Sequence, residues 1–259
     1  MKQSKHTTQD PMAEKYMGYS PYNYCVNSPI NFVDPNGMGD FWFNGVIIGN
    51  DGIDDKRVLV IKTTAKSFGN KEDLCYVLGA GLSNKEQKTT VDFIKKNSGN
   101  TEAFQKNPIA YNNSIEIEGS ARKRQLMVNI VMADNGQGGT SDANNREYGG
   151  YITSTGDVIE ESPGPVMKPG YAYILLNNGD NTSTFHSHPS GELYNYEAGI
   201  ETISFHVQHP SQTDIDDAKN GTHYVFGRRN KNVYVYTRNG IQAVIPMKNF
   251  VNPKTRKTK

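Results

Sequence analysis

From Asn112 onward the chain consists of short apolar segments separated by glycine and asparagine, and this pattern limits the possible folds more than any other feature of the sequence. The segments predict strands at Ser114–Glu118, Arg124–Ala133, Tyr148–Thr153, Tyr171–Asn177, Thr182–His188, Thr222–Gly227 and Asn232–Pro246. A helix is expected to begin at Ser211 and to end near Gly221. Many strands with few helices indicate a mixed α/β or α+β fold.

The chain before this region is less regular. Residues 1–37 are rich in tyrosine, asparagine and proline, have no helical period and carry successive turn signals, so we expect an irregular arm. Residues 38–111 are predicted to be a linker or a small strand-containing region, with a strand pair at Phe41–Ile48 and Arg57–Thr64. A domain is expected over residues 112–251, followed by a basic tail at residues 252–259.

Composition and charge exclude several classes of protein. The 259 residues include 28 Lys and Arg against 27 Asp and Glu, so the net charge of +1 gives no reason to expect a nucleic-acid partner. The longest apolar runs, near residues 58–61 and 171–176, have the length of a strand, and none approaches the ~20 residues of a membrane span. The basic clusters at 122–124 and 228–229 are expected to be solvated.

Cysteine is scarce. Cys25 and Cys75 are the only two and lie far apart, which excludes a disulfide scaffold and a cysteine-rich zinc site. Metal ligands must therefore come from histidine and carboxylates. The N-terminal residues lack the apolar segment of a secretory signal, so we expect no signal peptide in this chain. The protein is then either exported as an effector by another route or cytoplasmic.

Two histidines, His186 and His188, lie two residues apart at the end of a predicted strand and are followed by Pro189. Because side chains alternate along a strand, both imidazoles are expected on one face, which is the spacing that a metal ion needs. A pair of polar loop histidines is the simpler interpretation. The His-x-His pattern alone does not decide between the two.

Two further elements carry acidic residues. Ser211 and Asp214 form a Ser-x-x-Asp pattern before a predicted helix, which is typical of a capping box. A carboxylate in the first turn of a helix is also held rigidly, and two histidines with one aspartate leave a fourth zinc position open for water. Glu147 precedes Gly149 and Gly150, which permit close backbone approach, although a glutamate at a strand start is usually solvated.

In this chain order, Glu147, the His186-x-His188 pair and Ser211-x-x-Asp214 resemble the motif of the JAB/MPN (JAMM) zinc metallopeptidases, over residues 112–251. The resemblance implies a curved mixed β-sheet flanked by helices, similar to that of cytidine deaminases. It implies that the histidines and Asp214 bind zinc, that Glu147 is the general base and acid, and that Ser211 stabilises the oxyanion. The implied activity is hydrolysis of a peptide or isopeptide bond in a protein or peptide substrate.

Two other functions are compared with this one. A zinc nucleoside deaminase needs a C-x-x-C pair, which this chain does not have. A non-catalytic MPN-like binding scaffold is the alternative, although scaffolds of that kind lack the metal ligands that are present in this sequence.

The sequence departs from the family in one segment. Compact members have a short link between the histidines and the Ser-x-x-Asp element, whereas here Gly191–His209 is inserted. The insertion either shapes substrate binding or is a tolerated surface loop. Its His206 and His209 are rival metal ligands.

The N-terminal arm carries a second resemblance. The sequences DPMAEKY at 10–16 and YSPYNYCVNSPINFVDPNG at 19–37 closely resemble the end of an Rhs repeat-associated core. In that family a variable C-terminal module, often a toxin, follows this stretch. The resemblance implies that the domain is the tip of a polymorphic bacterial effector, with an immunity protein as a partner.

Overall fold

The computed structural model describes residues 39–64, 81–176, 179, 183–197 and 199–255, so the arm with its Rhs-like sequences lies outside the described residues. The described strands in chain order are β1 Asp40–Phe43, β2 Val46–Asn50, β3 Val58–Ile61, β4 Ser114–Ile117, β5 Gly149–Ile152, β6 Val158–Glu160, β7 Ser183–His188, β8 Glu192–Glu197, β9 Ile200–Phe205, β10 His223–Gly227, β11 Asn232–Thr237, β12 Gly240–Pro246 and β13 Lys254–Thr255. The helices are α1 Asn84–Asn97, α2 Thr101–Lys106, α3 Ile109–Asn112, α4 Ala121–Val131, α5 Gln212–Asp217 and α6 Met247–Phe250, with a 3₁₀ helix at Asp142–Asn145.

The strands form two mixed sheets and one separate hairpin. The first sheet has the order β13-β2-β1-β3-β4, and the second has the order β12-β11-β10-β7-β5-β6. Strands β8 and β9 pair only with each other among the described strands. The expected mixed α/β architecture is therefore confirmed.

Alternation along the strands of both sheets builds one shared core. In the first sheet, Trp42 and Val60 face a core cluster that also contains Phe185 and Phe226 of the second sheet. The opposite face of the first sheet, which includes Phe41, packs against α1, α2 and α3. The shared core cluster combines residues from before and after position 112, and both stretches belong to one compact unit, Gly37–Lys259.

The second sheet is covered on both faces, which places the site residues in a buried strand. Helix α4 packs on the face that points to the shared core. On the other face, Ile215 and Ala218 from α5 and the turn after it contact Val225 and Tyr234. Strand β7 lies inside this sheet between β10 and β5, and its last five residues are buried.

Four sequence-based predictions differ from the structure. The sequence predicts a strand at 124–133, but residues 124–131 belong to α4, because Arg124, Met127, Val128 and Val131 are the buried positions and have the spacing of one helix face. The predicted strand at 171–177 is not part of a described sheet in its described residues 171–176. The single strand predicted at 232–246 is a hairpin, in which β11 pairs with β12. The stretch 41–48 is not one strand, since it turns at Asn44 and Gly45, where both φ angles are positive, and pairs β1 with β2.

None of the described helices is both long and apolar enough to span a bilayer.

A methyl group at Gly149 is expected to destabilise the second sheet. A Cβ there would meet the Phe185 carbonyl oxygen and lie 2.8 Å from the His186 Cα, so Gly149→Ala should lower the free energy of unfolding by about 3 kcal/mol in urea titrations. Gly139→Ala is the control, because a methyl group there meets nothing within 4 Å and only the positive φ is strained, at about 1 kcal/mol. Equal losses of unfolding free energy in both variants would show that the close approach of β5 and β7 leaves room for a methyl group at Gly149.

Candidate metal centre

The two predicted histidine ligands lie side by side at the end of β7. Both side chains are buried, and their Nε2 atoms are 3.2 Å apart. The expected placement on one face of a strand is therefore what the structure has. His188 Nδ1 is 2.9 Å from the Val207 carbonyl oxygen. A carbonyl only accepts, so Nδ1 carries the proton and a neutral His188 presents a bare Nε2 lone pair to the site.

Asp214 reaches the histidines from the first turn of α5. Ser211 caps this helix, and its backbone N–H and hydroxyl donate to Asp214 Oδ2 over 2.6 and 2.7 Å. Asp214 Oδ1 lies 3.1 Å from His186 Nε2, and Oδ2 lies 3.4 Å from His188 Nε2. The Ser-x-x-Asp motif is thus a capping box, and its carboxylate also faces the histidine pair.

Charge keeps Asp214 ionised in this position. Burial acts to raise the pKa of Asp214, but His186 and His188 together hold that pKa well below its usual range. The residue that caps the helix therefore also supplies a negative charge beside two imidazoles.

Glu147 is placed by the pairing of β5 with β7. Gly149 lies opposite His186 in this antiparallel pair, so a step of two residues along each strand brings Glu147 next to His188. Glu147 Oε1 is 4.0 Å from His188 Nε2. Burial raises the pKa of the Glu147 carboxyl to about 7, while the neighbouring His188 lowers it and Asp214 raises it further.

His186, His188 and Asp214 form a group that can hold a metal ion. Their ligand atoms all lie within 4.8 Å of one another, and no other such group exists among the described residues. A tetrahedral site with bonds of about 2.0–2.1 Å separates its ligand atoms by about 3.3 Å. The two imidazole nitrogens are 3.2 Å apart, close to this value, and each lies 3.1 or 3.4 Å from a different oxygen of the Asp214 carboxylate. His186 Nδ1 is buried without a hydrogen-bond partner in the described structure.

The rival ligands His206 and His209 are not in this group. His206 is buried, and its Nε2 lies 3.2 Å from Asn145 Oδ1, which only accepts, so Nε2 is the donor. Burial lowers the pKa of His206 to about 4, with further lowering by the charges of His188 and Arg229. His206 is therefore neutral near pH 7 and binds to the residue two positions before Glu147.

All five predicted site residues line one cavity of about 560 Å³. Its walls also include the rival ligand His206 and residues that the sequence analysis did not select as site residues, namely Gly170–Leu176, Thr184, Pro189, Val207, Thr213, Asp217, Ala218 and Tyr236. Of these wall residues, Tyr236 had a signal in the sequence. Tyr234 and Tyr236 lie two residues apart on β11, so both face the same side of the sheet. No sequence signal connected 170–176 with the histidines, because that contact depends on the tertiary fold.

A buried carboxylate braces the loop that follows the histidines. Asp134 is fully buried and accepts from the Ser190 hydroxyl and from the Ser190 backbone N–H, both over 2.6 Å. The Asp134 carbonyl in turn accepts from the buried Arg228 side chain over 2.6 Å. These bonds fix the chain immediately after His188 and Pro189.

Comparisons with protein-family models, with curated proteins and with solved structures returned no match.

The purified protein is expected to bind about one divalent metal ion per chain, as measured by elemental analysis after dialysis. His186→Ala combined with His188→Ala should abolish this binding, because two of the three ligands are lost. His206→Ala combined with His209→Ala is the matched control and should keep the metal. The reverse result would move the site to the insertion.

Proposed function

We propose that the protein is a zinc-dependent peptidase or isopeptidase of the JAB/MPN type, which hydrolyses an amide bond with a metal-activated water. The proposal rests on one observation: His186, His188 and Asp214 lie close together and line the same cavity as the buried Glu147. These residues come from three separate stretches of the chain, and their proximity supports the proposal.

The donor set favours zinc over the hard cations. Two imidazole nitrogens and one carboxylate oxygen are ligands of catalytic zinc sites, whereas calcium and magnesium prefer oxygen ligands. The second sheet, with α4 on one face and α5 on the other, supports the finer proposal of a JAB/MPN fold.

Each residue has a role that its position supports. A zinc ion held by the three ligands would polarise a water molecule and the scissile carbonyl. Glu147 accepts the proton of that water and later donates it to the leaving amine, for which a pKa near neutrality is suitable. The Ser211 hydroxyl donates to Asp214 in this structure, so it must rotate into the cavity to stabilise an oxyanion.

Glu147→Gln should keep the metal and the fold but reduce hydrolysis by about 10² to 10⁴, the usual contribution of a general base. The readout is the release of new amino groups from a panel of unfolded polypeptides and isopeptide-linked lysine peptides. Glu160→Gln is the control, because Glu160 is exposed on β6 and does not line the cavity. Parental activity in Glu147→Gln would exclude Glu147, and no activity in the parental chain on any substrate would favour the non-catalytic scaffold.

We further propose that this peptidase is the toxic tip of an Rhs-type effector that is neutralised by an immunity protein. The support is the resemblance of residues 10–37 to the end of an Rhs core, which lies outside the described residues. If hydrolysis causes the toxicity, the toxicity must depend on the metal ligands. The metal site therefore connects this proposal to the structure.

Cytoplasmic expression of the parental chain in a bacterial host is expected to slow growth. Asp214→Ala removes a ligand and should be harmless at equal abundance, and Glu147→Gln should also be harmless although it keeps the metal. Growth rate and protein level are measured together. Equal arrest by all three chains would point to binding or aggregation as the cause and would contradict the toxin proposal.

A further inference from the structure

Strands β8 and β9 form a hairpin within the insertion that follows the histidine ligands. In its register Tyr194 lies opposite Ile203, Glu192 opposite Phe205, and Tyr196 opposite Glu201. Directly opposite residues of an antiparallel pair share a face, and so do residues two apart along a strand. One face of the hairpin therefore carries Tyr194, Tyr196, Ile203 and Phe205 together with Glu192 and Glu201, and we call it the apolar face after its four large apolar side chains.

The apolar face is open to solvent. Tyr196 is 71% exposed, Phe205 49%, Ile203 44% and Tyr194 38%. The opposite face carries Leu193, Asn195, Glu197, Ile200, Thr202 and Ser204, of which Ile200 is the exposed large apolar residue. Adjacent large apolar side chains of this kind are typical of a surface that binds a partner.

The apolar face leads into the metal cavity. The alternation of exposed residues continues from Ile203 and Phe205 to Val207, which lines the cavity. His206, between Phe205 and Val207, is buried, also lines the cavity, and lies 3.2 Å through its Nε2 from Asn145 Oδ1. At about 3.3 Å per residue, the face extends about 13 Å from Val207 to Ile203. A ligand on the face is therefore continuous with one in the cavity.

Several contacts fix the base of the hairpin. The Arg229 guanidinium lies 4.0 Å from the centre of the Phe205 ring and donates to Glu192 Oε2 over 2.8 Å. Tyr194 donates to the other oxygen of Glu192 over 2.7 Å. Arg229 also donates to the Ser190 carbonyl, next to the histidine ligands. A surface fixed before binding loses less conformational entropy when a partner arrives.

The negative charges at the tip of the hairpin favour one kind of partner. Glu197 and Glu201 are exposed and form no ion pair with a described residue. Their charges would repel an anionic membrane surface, and a second copy docked on the same face would bring like charges together. A polypeptide with basic side chains among apolar ones complements both features.

We propose that the apolar face is a docking site for the polypeptide substrate, which binds there through a segment whose apolar side chains alternate with basic ones. This inference rests on the proposed peptidase function, because it assigns the substrate of the same cavity. The hairpin thus selects substrates at a distance from the bond that is cut.

Fluorescence anisotropy with the full chain carrying Glu147→Gln tests this docking site without hydrolysis. The probe is a labelled peptide of twelve residues in which leucine alternates with lysine, and a matched peptide carries glutamate in place of lysine. Tyr196→Ser combined with Ile203→Ser should weaken binding of the leucine–lysine peptide by about tenfold or more. Ile200→Ser, an exposed apolar residue on the opposite face, should change binding by less than about twofold, and the leucine–glutamate peptide should bind more weakly.

Several outcomes would overturn the proposal. Equal affinity in all hairpin variants would show that the face does not dock the peptide. Binding to anionic lipid vesicles in place of the peptide, or self-association in sedimentation experiments that the same substitutions abolish, would assign another occupant. Face-dependent peptide binding by a parental chain without hydrolytic activity would contradict the peptidase function alone, whereas hydrolysis without face-dependent binding would contradict the docking site alone.

Discussion

Two imidazole nitrogens and one carboxylate lie close together at a buried position, and the rest of the site depends on this arrangement. The Val207 carbonyl holds a proton of His188 on Nδ1, so Nε2 is the atom that faces the site. His188 Nε2 lies 3.4 Å from Asp214 Oδ2 and His186 Nε2 lies 3.1 Å from Oδ1, and a buried carboxylate needs a proton donor or a cation beside it. The surrounding backbone holds these atoms in place, and a cation would satisfy all three side chains at once.

That backbone holds the ligands through strand pairing and one helix cap. Strand β7 is paired on both sides, parallel to β10 and antiparallel to β5, so neither histidine can shift without breaking ladder hydrogen bonds. Gly149 permits the close approach of β5 that brings Glu147 to His188. Ser211 fixes the first turn of α5 and with it Asp214. Main-chain geometry, more than side-chain packing, thus sets the distances in the site.

The parts of the site that depend on local pattern could be predicted from the sequence. The histidine pair on a strand and the capping box at Ser211 need only neighbouring residues to be recognised, and both are present. The sequence predicts a strand where α4 lies, because Arg124 accompanies the apolar side chains and is expected to be solvated. In the structure Arg124 is buried and donates to the main-chain carbonyls of Phe250 and Gly119. The cavity wall at 170–176 and the shared core of the two sheets depend on long-range contacts, which periodicity does not report.

The insertion contributes to the candidate metal centre through Val207. Its carbonyl accepts the His188 proton, while its side chain lines the cavity and continues the apolar face of the hairpin. His206, one residue earlier, binds Asn145 and so connects the insertion to the segment that precedes β5 and carries Glu147. A chain with only a short link between Pro189 and Ser211 would need another acceptor for His188 Nδ1 and another partner for Asn145. Residues 206 and 207, which follow the hairpin, therefore contact both His188 and the residue two positions before Glu147.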